Sequence, residues 1–419
     1  MVLRSQSRPG GRPRARGPAP QALTSLLLLL MLAAAAPAQT KIAINGYRVF
    51  YDAQPQGLRT TGASLVIQGN TIDLAFADFL EDDEAGAKSN FTRSTDLGKT
   101  WSKPEIFGTE ILRKIGQSPE KEASFIGLFG PTRMGTALAV GYHVAKGAQK
   151  ETYNEDLRFR ASSLIVGRRE QGKSAFVYQA YPPGAFLGEQ FGAGGAVLSN
   201  GRILLTLWGA ARSGENWQCG VLISDDDGRT WRYRTVGYDR NPAIRNDPKT
   251  PAGFNEQTLF EAKDGSVVSI IRGREGLGRV PKSPKDTWYF VSVSKDRGET
   301  WSHPVPTSLA GTGAPATGLT LPDGSLLEAS RIPYSRDLLK LQDPSAFGLH
   351  VARSADGGKT WRTEWLKQAD PEGRPFENYY NAMNGQFLPL GGNRWLYLFP
   401  QFSVKRKIHR MLAVDFTAQ

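Results

Sequence analysis

An eight-residue pattern, S-x-D-x-G-x-T-W, occurs four times in this chain and constrains its fold more than any other feature. Each copy contains a Ser and an Asp, whose side chains bond backbone groups in tight turns, a Gly suited to positive φ, and a Trp that can enter an apolar layer. The pattern therefore predicts a repeated turn between two β-strands. The copies are S-T-D-L-G-K-T-W at 94–101, S-D-D-D-G-R-T-W at 224–231, S-K-D-R-G-E-T-W at 294–301 and S-A-D-G-G-K-T-W at 354–361.

The spacing of the copies predicts six structural units. The last three copies start 70 and 60 residues apart, and a gap of 130 residues separates the first copy from the second. That gap contains R-R-E-Q-G-K-S-A at 168–175, which we interpret as a degenerate fifth copy with Arg168 in the serine position. The mean interval is then about 65 residues, and the 380 residues that follow an N-terminal leader hold about six such intervals.

Short alternating apolar runs precede each copy, so three strands, the turn and a fourth strand form one propeller blade. The last unit lacks one strand, and the segment Tyr47–Tyr51 supplies it and closes the ring without an exposed edge. We predict an all-β fold, a six-bladed β-propeller closed by the N-terminal strand, with residues 41–419 as a single domain. The strand-like runs left for the last unit are Ala382–Leu388, Arg394–Phe399 and Ile408–Phe416.

The N-terminus has the features of an export signal. An Arg-rich start is followed by an apolar run at 22–36 and by the small-residue site Ala36-Pro37-Ala38. The run is shorter than the roughly 20 residues of a membrane-spanning helix, so no stable membrane span is expected. We predict a cleaved signal peptide at 1–38 and a secreted or periplasmic protein. The one cysteine, Cys219, is expected to be a small buried residue.

The charge of the chain is less extreme than its total suggests. The formal net charge is +12, but five of the arginines lie in the N-terminal leader. The rest of the chain contains 47 basic and 40 acidic side chains. A strongly basic chain can indicate a nucleic-acid partner, but no nucleic acid is predicted for this remainder. The sequence also contains no metal-ligand cluster, phosphate-binding loop or nucleophile elbow, so neither a metal nor a cofactor is predicted.

The repeats resemble the Asp boxes, or BNR repeats, of the sialidase (neuraminidase) superfamily over nearly all of the mature length. The resemblance implies an exo-glycosidase that hydrolyses a terminal acidic sugar, such as sialic acid, from a glycan or glycoconjugate. It also implies that the box acids lie at the outer rim, away from the site, and are structural. Those acids are Asp96, Asp226, Asp296 and Asp356.

Two arginines occupy equivalent places in neighbouring units. Arg272 follows Asp264 by eight residues, and Arg331 follows Asp323 by the same number. Both are expected at the mouth of the central channel, where two cations are tolerated if an anion lies between them, and a carboxylate fits the planar guanidinium. We predict that Arg272 and Arg331 bind a substrate carboxylate, with Arg336 as the substitute for Arg331. The alternative is ordinary pairing with acids on the rim.

The resemblance also implies catalytic residues. Glu256, sixteen residues before Arg272, matches the family's general base, which activates a tyrosine nucleophile in a retaining reaction. A phenol with a pKa near 10 needs such a base. In E-N-Y-Y-N-A-M, Tyr380 is the predicted nucleophile and Tyr379 the alternative. The acid/base is Asp83, in an acidic loop where neighbouring acids raise one pKa, unless the loop is simply a solvated acidic segment.

The sequence departs from the family pattern at two places. The first arginine, in a family R-I-P motif, is replaced within Thr61-Gly62-Ala63, and Arg59 is the nearest substitute. The third arginine is expected near Ala346, whereas Arg331-Ile332-Pro333 lies earlier in the fifth unit. Sialic acid specificity does not follow from this arginine set.

Two other functions therefore remain open. One is a propeller that binds acidic glycans without turnover, which the missing first arginine favours. The other is a uronate-type polysaccharide lyase, in which Tyr142-His143 would remove a proton α to a carboxylate that Arg272 neutralises.

Overall fold

The computed structural model of this chain is nearly all β. Its described residues form six antiparallel sheets, which are arranged as the blades of a β-propeller. The all-β, six-bladed fold predicted from the repeats is confirmed. Contacts group Thr40–Gln419 into one compact unit. The residues that the structure describes are 41–52, 59–80, 83–119, 121–145, 164–181, 187–191, 195–210, 217–238, 253–274, 289–309, 318–332, 348–374, 385–403 and 408–418. The predicted signal peptide lies outside them.

The chain enters the fold through strand β1 (Ile42–Asp52) and then forms the first three blades in order. Blade one contains β2 (Arg59–Gln68), β3 (Thr71–Leu80), β4 (Asp83–Ser94) and β5 (Glu105–Ile106). Blade two contains β6 (Glu122–Phe129), β7 (Ala137–Ala145), β8 (Leu164–Arg169) and β9 (Val177–Tyr181). Blade three contains β10 (Leu187–Phe191), β11 (Ala196–Val197), β12 (Ile203–Ala210), β13 (Gln218–Ser224) and β14 (Arg232–Gly237), where β10 and β11 both pair with β12.

The last three blades repeat this order, and the sixth is completed by β1. Blade four contains β15 (Gly253–Glu261), β16 (Val267–Arg274), β17 (Tyr289–Ser294) and β18 (Val305–Pro306). Blade five contains β19 (Leu319–Thr320), β20 (Leu326–Ile332), β21 (Gly348–Ser354) and β22 (Arg362–Lys367). Blade six contains β23 (Gln386–Gly391), β24 (Arg394–Ser403) and β25 (Ile408–Ala418), with β1 as its outer strand.

The predicted closing strand is present and longer than expected. Tyr47 lies opposite Val414 and Val49 opposite Leu412 in the antiparallel pairing of β1 with β25. The Tyr47 hydroxyl also donates a hydrogen bond to the Ala369 carbonyl at 2.9 Å. The first and last strands of the domain therefore share one sheet, which fastens the ring.

One apolar cluster lies between each pair of neighbouring blades, including blades six and one, so the ring of packing is continuous. The cluster between blades one and two also contains Ile111, from the short helix α1 (Gly108–Lys114). This helix is the one α-helix among the described residues, and the sequence did not predict it. Cys219 is fully buried in the cluster between blades three and four, as expected.

The box turns have the same geometry in all four copies. The Ser hydroxyl donates to the box Asp at 2.8 Å in each copy. The other carboxylate oxygen accepts from the Thr hydroxyl at 2.5–2.7 Å, and the backbone N–H of the box Gly donates to the Ser oxygen at 2.7–2.9 Å. Each turn joins the third strand of a blade to its fourth, so the box acids are held in structural bonds, as predicted.

Each box Trp packs between its own blade and the preceding one. Trp101 lies against the cluster of blades six and one, and Trp231 against that of blades two and three. Trp301 and Trp361 take the corresponding places before blades four and five. The box therefore fixes a turn and also contributes an aromatic ring to the interface between blades.

The fourth residue of the box adopts positive φ in every copy, although the pattern leaves its type open. It is Leu97 at 57°, Asp227 at 62°, Arg297 at 59° or Gly357 at 72°. Asp227 also connects two blades: its buried carboxylate accepts hydrogen bonds from Thr132 at 2.5 Å and Thr136 at 2.6 Å, and from Arg168 at 2.9 Å.

The degenerate copy lies one residue later than the sequence pattern suggested. Strand β8 ends at Arg169, which takes the place of the box Ser, and Gly172 then occupies the positive-φ fourth position, with φ of 78°. The sequence pattern, with Arg168 in the serine position, aligns Gly172 with the fifth position of the box. This alignment is one residue off because the degenerate copy keeps neither the Ser nor the Asp that fix the register of the other copies. The buried Arg169 forms an ion pair with Asp73 of blade one instead.

The box carboxylates are expected to make stability depend on pH in the acid range. Hydrogen bonds from the Thr300 side chain and backbone lower the pKa of Asp296 from 3.8 to about 2. A folded-state pKa below the unfolded value gives stability that is complete above about pH 4 and is lost as the pH falls toward 2. Asp296→Asn should therefore lower the Tm by roughly 2 °C or more at pH 7, with a smaller difference near pH 2.

Thermal unfolding followed by circular dichroism at both pH values measures this effect. Glu105→Gln, at an exposed acid on β5 outside the boxes, is the control and should leave the Tm within about 1 °C. An Asp296→Asn variant with wild-type Tm at pH 7 would contradict the structural role of the box.

The hydrogen bonds that Asp227 accepts from the neighbouring blade are expected to contribute more to stability than its positive-φ backbone conformation does. Asp227→Ala leaves the Thr132, Thr136 and Arg168 donors without their carboxylate and should cost about 2–4 kcal/mol of unfolding free energy. Arg297→Ala is the matched control, because it places the same residue at the same positive-φ position of an exposed box turn. Urea unfolding compares the two, and equal losses would assign the effect to φ alone.

Candidate functional site

The second strands of the blades share one register, and this register defines the candidate site. Strand β16 begins at Val267 opposite the box residue Ser294, and β20 begins at Leu326 opposite Ser354. Five residues further along, at the other end of each strand, lie Arg272 and Arg331. The equivalence of these two backbone positions was predicted from the sequence. It places them at the opposite end of the blades from the box turns.

A bulge in the innermost strand of blade four presents Glu256 to this end. Phe254 pairs with Gly273 and Gln257 with Ile271, so Asn255 and Glu256 together lie opposite Arg272. Two residues opposite one give a β-bulge, which redirects a side chain out of the regular alternation. The sequence did not predict this bulge.

Glu256 and Arg272 form an ion pair between Oε2 and Nη1. The Arg272 side chain is 10% exposed and that of Glu256 is 24% exposed, so the pair is mostly but not fully removed from water. In such surroundings charges interact more strongly than at an open surface. The arrangement offers a carboxylate for proton transfer and a guanidinium for an anion, side by side.

The neighbouring residues hold this strand against blade three. The buried Gln257 donates through Nε2 to the carbonyls of Leu207 and Gly220, and its Oε1 accepts from Ser269 at 2.8 Å. Gln257 therefore secures the backbone next to Glu256.

Gly253 is needed at the start of this strand. It has φ of 114°, and a Cβ there would lie 2.2 Å from the Trp217 carbonyl oxygen. The adjacent backbone N–H of Phe254 donates to that oxygen at 3.0 Å. A residue with a side chain at position 253 would separate these two backbones.

The other predicted residues are described only in part. Asp83 begins β4 opposite Leu80, and Arg59 begins β2 opposite Phe79, so their backbones lie at the same end of blade one as Arg272 does in blade four. Arg331 is described as a backbone position on β20. The side chains of these three residues, and the whole of Arg336, Tyr379 and Tyr380, lie outside the described part of the structure. Their roles stay predictions.

The residues of the predicted lyase alternative lie on β7. Tyr142 is 7% exposed and pairs with Leu164, and His143 pairs with Ser124 of β6. Within the described ranges, no group of His, Cys, Asp and Glu side chains is arranged to hold a metal ion. The same ranges contain no helix long and apolar enough to cross a membrane.

One aromatic residue at the register of Arg272 was not predicted as part of the site. Trp208 lies five residues after Ile203, which begins β12 opposite the box residue Ser224. The signal was available, because Trp208 follows Asn200, in the turn before β12, by the same eight residues that separate Arg272 from Asp264.

Comparison with protein families agrees with the box geometry. The BNR repeat-like domain family matches residues 188–402, just over half of the chain. The chain belongs to this family. With its six blades and its structural neighbours, it is a sialidase-superfamily BNR-repeat propeller, as the boxes predicted.

Solved structures with the same fold differ widely in sequence. A protein of unknown function from Dyadobacter fermentans has a TM-score of 0.63 and 18% identity, covering 90% of this chain and 99% of that one. The intramolecular trans-sialidase from Ruminococcus gnavus, in complex with oseltamivir carboxylate, has a TM-score of 0.58 and 15% identity, covering 90% and 98%. The α-L-arabinofuranosidase Arb93A from Fusarium graminearum has a TM-score of 0.56 and 11% identity, covering 89% and 98%. No curated protein matches this BNR-repeat propeller by sequence.

The ion pair is expected to be energetically coupled. Glu256→Gln and Arg272→Met each remove one charge, whereas the double variant removes both and leaves neither partner uncompensated. We expect the double variant to be more stable than the sum of the single effects predicts, with a coupling energy of about 1–3 kcal/mol. Urea unfolding of the wild type and the three variants measures it. Additive effects would show that the two charges do not interact in solution.

Proposed function

We propose that this protein is an exported exo-glycosidase of the sialidase type, which hydrolyses a terminal sugar that carries a carboxylate. The observation that carries the proposal is the Glu256–Arg272 ion pair, at the end of blade four opposite its box turn. In this proposal the signal peptide at 1–38 is cleaved, and the protein acts outside the cytoplasm.

Arg272 is the part of the site that selects the substrate. A guanidinium presents N–H donors in a plane that matches a carboxylate, and partial burial strengthens the charge-assisted bonds. Arg331 lies at the equivalent backbone position of the next blade, where a second guanidinium would contact the same anion. Arg59 and Arg336 are further candidates for this group.

The proposed reaction retains the configuration of the sugar and uses Tyr380 as the nucleophile. Glu256 accepts the phenol proton, and the phenolate oxygen forms a bond to the anomeric carbon as the bond to the leaving group breaks. Asp83 protonates the departing oxygen and then deprotonates the water that releases the sugar. A tyrosine suits this substrate, because it stays neutral until Glu256 takes its proton during the attack, whereas a carboxylate nucleophile would carry a standing charge that repels the sugar's own carboxylate.

A second candidate function is binding of acidic glycans without turnover. It is favoured by Thr61-Gly62-Ala63 at the place of the family's first arginine. The solved neighbours include a trans-sialidase and an arabinofuranosidase, and this range of activities supports glycoside chemistry more firmly than any one sugar.

The enzyme proposal is tested with 4-methylumbelliferyl sialoside and a panel of uronides. Glu256→Gln should lower kcat by about 10²–10³-fold, the loss typical for removal of a general base. Glu261→Gln is the matched control: it makes the same change at the other end of β15, where Glu261 binds Ser199. Its kcat should stay within about twofold.

Three outcomes would overturn parts of this proposal. If the wild type releases no fluorophore but still binds the sugars in calorimetry, the protein is a glycan-binding propeller. If turnover is detected and Glu256→Gln retains it, the base is another residue. Formation of an unsaturated product from a uronide polymer, followed at 232 nm, would indicate the lyase.

A further inference from the structure

Asn255 has an unpaired amide oxygen in the interior of the fold. The residue is 1% exposed, and no hydrogen-bond donor in the described part of the structure reaches its Oδ1. Buried polar atoms nearly always have a partner, because an acceptor that has lost its bonds to water and gained none destabilises the fold. This exception lies one residue before the candidate base Glu256 and therefore calls for a functional reason.

The β-bulge turns Asn255 and Glu256 toward the same side of blade four. Phe254 packs in the cluster between blades three and four, and Gln257 donates to carbonyls of blade three. The two residues between them therefore both lie on the face toward blade five, where regular alternation would place only one. Arg272 contacts Glu256 on this face.

The two protonation states of Glu256 need different partners. An ionised carboxylate only accepts hydrogen bonds, and in this structure Glu256 accepts one from Arg272. A protonated carboxyl group has an O–H to donate, and a guanidinium, which carries donors alone, cannot accept it. The oxygen of a side-chain amide can. Asn255 Oδ1 thus suits the protonated form of Glu256, and it stays unpaired while Glu256 is ionised.

We propose that Asn255 is a positioning residue for the base, and that its Oδ1 accepts the O–H of Glu256 once that carboxyl group has taken a proton and left Arg272. The inference rests on the proposed function for the role of Glu256. In that reaction the proton passes from the Tyr380 phenol to Glu256 and is directed at Asn255 while the sugar is bonded to the tyrosine oxygen. It returns to that oxygen when the bond to the sugar breaks.

Other charged and titratable groups also face Glu256. Among the described residues, blade four contributes Arg272 and the fully buried Tyr289, which lies opposite it on β17. Strands β20 and β21 of blade five present Glu328 and His350 on the side of the cluster between these two blades. All of these groups are present in every variant below, so a difference between variants reports on the substituted residue.

NMR on the full chain tests the contact, with ¹³C labels in the Glu and Asn side chains. The Glu256 signal is assigned by its loss in Glu256→Gln. We expect Asn255→Ala to lower the titration midpoint of this signal by about 0.5–1 pH unit, because the protonated form loses its acceptor. Asn255→Asp should raise the midpoint by about 1 pH unit or more, since two neighbouring carboxylates share one proton.

Thr258→Val is the matched control. It removes a buried polar atom from the same strand and the same face, where Thr258 Oγ1 accepts the backbone N–H of Gly318 at 2.8 Å. The midpoint of Glu256 should then stay within about 0.2 pH unit of the wild type. A change as large as that in Asn255→Ala would assign the effect to general loosening of the strand and overturn the proposal.

The proposal is also overturned if Asn255→Ala leaves the midpoint of Glu256 unchanged. A higher midpoint would reject it as well, because the Asn255 Nδ2 would then be a donor to the ionised carboxylate. Should the variant fail to fold, the wild type decides. Its Asn255 carbonyl carbon must titrate with the midpoint of Glu256, and a signal that stays constant with pH rejects the contact.

Kinetics separate this proposal from the proposed function. On 4-methylumbelliferyl sialoside, Asn255→Ala should lower kcat about three- to tenfold with KM within about twofold, and should move the acid limb of kcat/KM to lower pH. If the wild type hydrolyses no substrate but the NMR midpoints change as expected, the contact stands and the sialidase proposal fails. If the variant keeps wild-type kcat and pH profile, the enzyme proposal stands and the role of Asn255 is rejected.

Discussion

The antiparallel pairing of β1 with β25 is the interaction on which the rest of this structure depends. It joins Ile42–Asp52 to the end of the chain, so that the sixth blade has four strands. The apolar clusters can then continue around the whole ring, with Leu65 and Leu398 meeting between blades one and six. A propeller open at this point would lack one sixth of its packing between blades and expose two sheet faces to water. Each blade is then packed on both of its faces, which fixes the strand ends that carry the candidate site.

Much of the fold could be predicted because the sequence of each box indicates where it lies within a blade. A Ser at the end of the third strand and a Trp before the fourth fix the strand order within a blade, and the intervals fix the number of blades. The equivalence of Arg272 and Arg331 could be found by counting residues. In blades four and five the second strand begins opposite the box Ser, and the arginine lies five residues further along. The closing strand could be found because the last unit was one strand short. In each case a local sequence pattern agreed with the number of strands and blades that the whole chain must form.

The parts that could not be predicted lack such a signal. The bulge that sets Asn255 and Glu256 opposite Arg272 adds one residue to a strand whose apolar pattern continues without interruption, so nothing in the composition indicates it. The degenerate copy lost both Ser and Asp, and its remaining Gly172 could be aligned with either of two positive-φ positions. Trp208 was missed for a different reason. Trp208 carries no charge and lies in the apolar run of β12, so its position eight residues after Asn200 is the feature of the sequence that relates it to Arg272.

The Glu256–Arg272 pair also limits how the site can work. Arg272 already has a carboxylate partner in this structure, and a substrate carboxylate would compete with Glu256 for the same guanidinium. The ion pair with Glu256 thus already offsets the free energy lost when Arg272 is removed from water. The binding free energy of a ligand anion is therefore only the difference between its own bonds to Arg272 and the bonds to Glu256 that it displaces. If Glu256 is to take a proton from a tyrosine, it must exchange part of its contact with Arg272 for a contact with the phenol. Substrate binding would drive that exchange, because the carboxylate replaces Glu256 at the guanidinium. In the proposed function, this ion pair would therefore link recognition of the acidic group to release of the base.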